Sequence, residues 1–275
     1  MKYDRSHTEA FYDALGEREW ERFERNAATR VSLATHLHYL RQYIHAGDSV
    51  LDIGAGPGRF TIELAKLGAN IIVGDISKAQ LELNARKVSE AGFESSVHER
   101  VQCDIVNLSM FADSSFDAVV AYGGPISYAL DRANDAIGEM LRVTKAGGHV
   151  LLSVMSRLGA LRHFFPQVLE LVDSVGLLAL TDPWESGILD ERFSAGHRLR
   201  LFLSSELLEM LGKHSCKILA MSASNYLAYA GEQVLENRWD DAEFWNRFLE
   251  IELETCREPG ALDGGTHLIA VLEKV

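Results

Sequence analysis

Three carboxylates hold positions from which they could meet a ligand: Asp52, Asp75 and Asp104. Asp52 ends an apolar run and precedes Gly54-Ala55-Gly56-Pro57-Gly58, after which Arg59 opens a helical stretch. Glycine-rich turns from strand to helix usually cradle phosphates, because backbone N–H groups and the helix dipole favour anions there. A fixed negative charge opposes that use. A P-loop needs a lysine followed by Ser or Thr after its last glycine, whereas Gly58 is followed by Arg59 and Phe60. The dinucleotide fingerprint G-x-G-x-x-G fits Gly54 and Gly56 but meets Arg59 where its third glycine belongs. The turn suits a ligand that lacks phosphate and carries positive charge.

Each acid alone has an ordinary explanation, since a lone Asp often caps a turn. Together they stand at the ends of three successive predicted strands, where ligands of open α/β sheets bind. Other candidates have weaker claims. Tyr122, at the end of a fourth predicted strand, either faces the reacting group or simply packs. His197, in "SAGHRLRLF", is either a base or a solvated loop residue. His163, followed by Phe164 and Phe165, belongs to an amphipathic helix that packs its aromatics. Trp184, Trp239, Phe244 and Trp245 form no cage of fixed spacing. His36 and His38, two apart on a helix, point to different faces, and no metal is expected.

The elements that must position these residues follow from patterning. The first 45 or so residues read as helices, with Val31, Leu33, Ala34, Leu37, Leu40 and Ile44 near helical spacing. From "SVLDIG" onward strands and helices alternate, which argues for a parallel sheet covered by helices. Ser77 is placed as a helix N-cap, and Gly68 and Gly92 as helix stops. Ser204 is placed as a second N-cap. Alternation breaks at 157–203, where "TDPWESGILDERFSAGHRLRLF" reads as loop with short extended pieces. It breaks again at 224–265, and a last strand closes the chain.

Composition is that of a soluble globular chain, 47% hydrophobic and 24% charged over 275 residues. No apolar run approaches a membrane span, and no apolar core of a secretory signal opens the chain. Twenty-seven basic against 40 acidic residues give a net charge of −13, which argues against nucleic acid as a partner. Cys103, Cys216 and Cys256, scattered and odd in number, fit buried thiols in a reducing cytoplasm.

The run Asp52-Ile53-Gly54-Ala55-Gly56-Pro57-Gly58 resembles motif I of class I S-adenosylmethionine-dependent methyltransferases. The cationic sulfonium and ammonium of that cofactor make a nearby carboxylate attractive. The resemblance implies that Gly54, Ala55, Gly56 and Gly58 let the backbone approach the methionine part. It further implies that Asp75, with Ile76 beside it, binds the ribose hydroxyls. Asp104 would take the adenine amino group, with Ile105 beside the ring. "FDAVVAYGG" resembles the motif-IV strand, whose end, Ala121 to Gly123, lies under the reacting centre. "LRVTKAGGHVLLS" resembles the turn into strand five. The likeness covers about 48–155 and resumes at 204–223 and 266–275.

What it implies is a single domain, residues 1–275, with a Rossmann-like seven-stranded mostly parallel sheet and helices on both faces. Residues 1–45 would form a helical cover, and 157–203 and 224–265 two lid insertions. The chain lacks the N-P-P-[YF] run of amino-methylating nucleic-acid and protein enzymes, and it lacks a Pro-Cys nucleophile pair. The expectation is therefore S-adenosyl-L-methionine as cofactor and methyl transfer to O, N or C of a small-molecule acceptor. Tyr122 and His197 are the catalytic candidates. The protein is expected to act in the cytoplasm as a monomer or homodimer, with neither nucleic acid nor membrane as partner. Two alternatives stay open: another use of the same cofactor, such as cyclisation, and a cofactor-binding protein without catalysis.

Overall fold

The computed structural model describes residues 1–194 and 196–275. Among the described residues nine strands follow in chain order: β1 (Ser49–Ile53), β2 (Asn70–Asp75), β3 (Val97–Gln102), β4 (Phe116–Ala121), β5 (Thr144–Met155), β6 (Ile188–Leu189), β7 (Leu199–Arg200), β8 (Cys216–Ala223) and β9 (His267–Lys274). Seven form one sheet in the order β3-β2-β1-β4-β5-β9-β8, while β6 and β7 make a separate short hairpin. Pairings among β1 to β5 are parallel, and β9 runs antiparallel between β5 and β8. The fold is the Rossmann-like, mostly parallel sheet that the alternation predicts. Its strand order reverses between β1 and β4, so a ligand crevice opens above their carboxyl ends.

Helices α1 (Arg5–Leu15) and α2 (Ala27–Tyr43), joined by a 3-10 stretch at Gly16–Glu24, precede the sheet. Next come α3 (Arg59–Lys66), α4 (Lys78–Glu90), α5 (Pro125–Tyr128) and α6 (Ala133–Val143). The first insertion holds α7 (Arg157–His163), α8 (Phe165–Val175), α9 (Leu178–Ser186) and the β6–β7 hairpin, and α10 (Ser204–Leu211) follows it. The second holds α11 (Leu227–Ala230), α12 (Glu232–Glu236) and α13 (Ala242–Thr255). Alternate strand residues serve opposite layers. Leu51, Ile53, Val119 and Ala121 join one core with α6 and α10, and Val50, Ala118, Val120 and Tyr122 join the other with α2 and α3. With both faces covered, the strands can be apolar on both sides.

Ser77 caps α4 by accepting from the Gln80 N–H, as its place predicts. Three other expectations change. α9 runs through Pro183 to Ser186, so "TDPWES" is helix instead of loop, and Gly187 at φ 69° ends it. Leu203, not Ser204, holds the N-cap of α10, because the Asp263 carboxylate accepts from both the Ser204 N–H and its hydroxyl. The expected covers also divide. α2 buries Val31, His36, Tyr39 and Leu40 and is part of the core, so only α1 and Gly16–Glu24 lie over the crevice. The second insertion spends its apolar face on α2, where Ala28 and Val31 meet Ala228, Leu235 and Trp245. Among the described residues it lines neither the crevice above β1 and β4 nor the chamber inside the first insertion, so 224–265 is a buttress where a lid was expected.

Candidate active site

A cavity at the carboxyl ends of β1 and β4 collects most of the residues singled out from sequence. Gly54, Ala55 and Gly56 line it from the turn after β1, Asp75 and Ile76 from the end of β2, and Asp104 and Ile105 from beyond β3. Tyr122 and Gly123 line it from the end of β4. The turns interlock: Gly54 stands at φ 69°, and a Cβ there would lie 2.7 Å from Pro125. Only glycine satisfies both conditions. Asp75 is held by backbone alone, its Oδ2 accepting from the Gly56 N–H and its Oδ1 from the Ser77 N–H, each at 2.8 Å. Each oxygen keeps further acceptor capacity for a ligand hydroxyl.

Three of the predicted residues work from behind the cavity instead of lining it. Asp52 shares the face of Val50, points toward α3 and accepts from Thr61 Oγ1 at 2.6 Å. Gly58 is the N-cap of α3 and packs against Asn84, and Ala121 faces the opposite core. Asp52 and Ala121 each lie one residue short of the crevice and point into opposite layers, while Ile53 and Tyr122, one residue further along the chain, line it.

Both carboxyls beside the glycine turn are held above the usual carboxylate range. Burial pushes the Asp52 carboxyl up to about 7 against the opposing hydrogen bond from Thr61, and the Asp75 charge adds to the rise. Burial likewise lifts Asp75 to about 6, with Glu19 contributing. The two guanidinium groups lining the cavity are already engaged. Arg22 pairs with Glu19 at 2.8 Å, and Arg59 pairs with Glu24 at 2.7 Å while lying 3.9 Å over the Trp20 ring. A cationic ligand would favour the ionised carboxylates.

The N-terminal segment closes the cavity with residues that no local motif announced. Tyr3 donates its hydroxyl to Asp104 Oδ2 at 2.8 Å, while Asp104 Oδ1 accepts from the Val106 N–H. Tyr12, Glu19, Arg22 and Phe23 complete this wall. Arg22 lies against Gly123, where a Cβ would stand 2.7 Å from Nη2.

At the β4 end, Tyr122 packs edge-on against His36 and Phe60, with ring centroids 4.6 and 5.2 Å away. Its buried hydroxyl has no partner among the described residues, and neither has Nε2 of His36 or of His267. His36 Nδ1 lies 2.7 Å from the Ser32 carbonyl, which can only accept, so Nδ1 carries the proton and Nε2 the lone pair. Burial lowers His36 to about 4, keeping it neutral. His197 does not reach the cavity. Its Nδ1 bonds the hydroxyl of Tyr128 at 2.8 Å, and Tyr128 does line the cavity. His163 packs between Phe164 and Tyr229. No group of three metal-binding side chains is assembled among the described residues.

Residues 50–148 match a family described as "Methyltransferase domain". A demethylmenaquinone methyltransferase of Clavibacter sepedonicus is 33% identical over 114 residues, 40% of this chain and 42% of the relative. The matched part is thus less than half the length of that relative. Among solved structures, the 1,6-didemethyltoxoflavin-N1-methyltransferase of Burkholderia thailandensis, with its substrate and S-adenosylhomocysteine bound, superposes with TM-score 0.58. The superposition covers 98% of this chain and 88% of that one at 16% identity. The [4+2]-cyclase SpnF superposes with TM-score 0.55 at 20% identity, covering 88% of this chain and 80% of that one. At these identities the likeness is one of fold.

Proposed function

From the premise that residues 50–148 are a methyltransferase domain on the class I sheet, we propose that the chain moves a methyl group from S-adenosyl-L-methionine to O, N or C of a small-molecule acceptor. The observation that carries this reading is the convergence of Asp75, Asp104 and the Gly54–Gly56 turn on one cavity whose cations are already paired. Asp75 would hold the ribose hydroxyls, Asp104 and Ile105 the adenine, and the glycine turn the methionine part. When bound, the cofactor supplies an activated methyl group and a neutral leaving group.

The chain's own residues supply position and dryness. Tyr3 just before α1, Tyr12 on α1 and Arg22 in Gly16–Glu24 cover the cavity. Tyr122 stands at the β4 end, where the acceptor would approach, with an unpartnered hydroxyl and its ring edge-on to His36. His197 acts through its bond to Tyr128, as a positioning residue. A small acceptor suits a cavity walled by side chains, and the charge of −13 suits neither nucleic acid nor anionic lipid. No helix among the described residues is long and apolar enough to cross a membrane. The free thiols Cys103, Cys216 and Cys256 fit a reducing cytoplasm, and a monomer or homodimer suffices because one chain supplies every wall of the cavity.

Incubation with methyl-labelled cofactor and a metabolite panel tests the reading. The expected result is S-adenosylhomocysteine released in step with a product heavier by one CH2. A product of unchanged mass, formed only with cofactor bound, favours the second reading, for which the cyclase sharing this fold is the specific support. Failure to bind S-adenosylhomocysteine at all overturns both.

A further inference from the structure

The first insertion encloses a second chamber, apart from the cofactor cavity. It comprises about 1200 Å³ of atom-free space, the solvent at its mouth included. Its wall is almost wholly aliphatic and aromatic, formed between α7, α8, α9 and the β6–β7 hairpin. Apolar surface left unfilled inside a protein is unfavourable, and large apolar pockets with a few polar groups are where small molecules bind. Two polar features mark this one. Arg157 is 8% exposed and binds Glu206 through Nη2 at 2.7 and 2.9 Å, yet its Nε–H has no partner among the described residues. His197 lines the chamber, and the Tyr128 that it bonds lines the cofactor cavity. The hydrogen bond between His197 and Tyr128 therefore links the walls of the two spaces.

The outer wall is poorly anchored. No residue of α8 is buried, and Phe164, Phe165 and Leu177 are 51%, 43% and 68% exposed. A helix so apolar that buries nothing of its own is suited to part from its neighbours and admit a ligand.

We propose that this chamber is the site for the apolar body of the methyl acceptor. The acceptor is then a lipophilic molecule whose reactive end is directed past Tyr128. This assignment rests on the methyl-transfer reading for the word acceptor, and on the chamber's own geometry for the class of ligand.

Titration with N-phenyl-1-naphthylamine, a neutral apolar fluorophore, tests it on the whole chain. The expected result is saturable one-to-one binding with blue-shifted emission. Ala179→Phe, which fills the chamber, and Val168→Glu, which puts a charge in its half-buried wall, should each weaken binding by about tenfold or more. The second variant lies on the helix without buried residues, so it leaves the fold intact. S-adenosylhomocysteine affinity should stay unchanged in both, and the fluorophore should still bind in its presence. Absent or non-saturable binding, indifference to both variants, or displacement by S-adenosylhomocysteine overturns the chamber as an acceptor site. Loss of S-adenosylhomocysteine binding in the unmodified chain strikes the methyl-transfer reading instead, with the fluorophore still reporting on the chamber.

Discussion

The cofactor side and the acceptor side of this molecule meet at Tyr128, yet they are built by different means. On the cofactor side the backbone does the work. Strand ends deliver Asp75 and Asp104, and the Gly56 and Ser77 amides fix the Asp75 carboxylate. On the acceptor side, side chains from distant segments assemble the walls: Tyr128 with His197 and Arg157 with Glu206. Backbone-built sites depend on a few glycines and acids at fixed places. Side-chain-built sites can change occupant without changing the fold. The family match respects this boundary, ending at residue 148, before the first insertion begins.

Hydrogen exchange should show the largest contrast. β1 and β5 lie inside the sheet and should open only with the whole domain, whereas α8 buries nothing and should open locally. The gap in opening free energy should approach the global stability of a domain, about 5–15 kcal/mol. α2 should exchange with the core. α1 should slow when S-adenosylhomocysteine binds, because its Thr8 and Tyr12 line the cavity. If α8 is as protected as β1, the insertion is scaffold, and the two sides do not differ in the way their construction implies.

Asp75→Ala should strike the cofactor side alone. Two charge-assisted bonds to ribose hydroxyls, at about 1.5–3 kcal/mol each, amount to about 3–6 kcal/mol of lost affinity. Because Asp75 also secures the Gly56 amide, Asp75→Asn is the control that keeps an acceptor there. Calorimetric titration with S-adenosylhomocysteine reads the effect, and unchanged affinity in the folded Ala variant removes Asp75 from the site. The fluorophore in the chamber should bind both variants normally.

What is legible in the sequence divides along the same line. Apolar strand runs alternating with helices, and glycine turns, are local signals, so the sheet, its ligand edge and the two lining acids can be read directly. Asp52 is legible as a special residue but not in its direction, which depends on strand phase relative to the crevice. The placing of 224–265 as a lid fails because amphipathicity states that a helix has a partner without stating which; α2 takes that face. Tyr3, Glu19 and Arg22 carry no motif, and only the fold brings them to the cavity. His36 looks unimportant in sequence because it is paired with nothing nearby, and its lack of a partner is what makes it notable in space.

A pH series should give a smaller effect on the cofactor side. Asp52 and Asp75 titrate at about 7 and about 6 in the free protein. A cationic ligand favours their ionised forms, so binding should release protons near these values. Affinity for S-adenosyl-L-methionine should be highest above about pH 8 and fall by about tenfold toward pH 6, a loss of about 1.4 kcal/mol. Thermal stability is a poorer readout because two trends oppose. Raised carboxylates lose stabilisation as pH rises through about 4 to 7. Lowered histidines, His36 and His267 above all, lose it as pH falls below the usual imidazole value. An affinity that is flat between pH 6 and 8 would show that these carboxylates do not feel the ligand's charge.

The smallest expected effect lies at the end of β4. Tyr122 ends β4 with its hydroxyl buried and unpartnered among the described residues, and burial raises that hydroxyl well above the usual phenol range. A neutral hydroxyl kept dry without a partner costs about 1–3 kcal/mol. Tyr122→Phe keeps the ring against His36 and Phe60 and removes only the unsatisfied group. The free protein should therefore gain about 1 kcal/mol, or about 2–4 °C in Tm for a domain of this size. S-adenosylhomocysteine should bind as before, since no predicted cofactor contact is lost. Methyl transfer should nevertheless fall, with KM rising if the hydroxyl binds the acceptor and kcat falling if it works only at the reacting atom. A gain in stability with no change in transfer would make Tyr122 a packing residue, and the acceptor would have to be oriented from the Tyr128 side alone. A loss of stability would mean that the hydroxyl is satisfied in solution, by a water bridging to the His36 Nε2, and the polar end of the acceptor site would then have to be sought around Arg22.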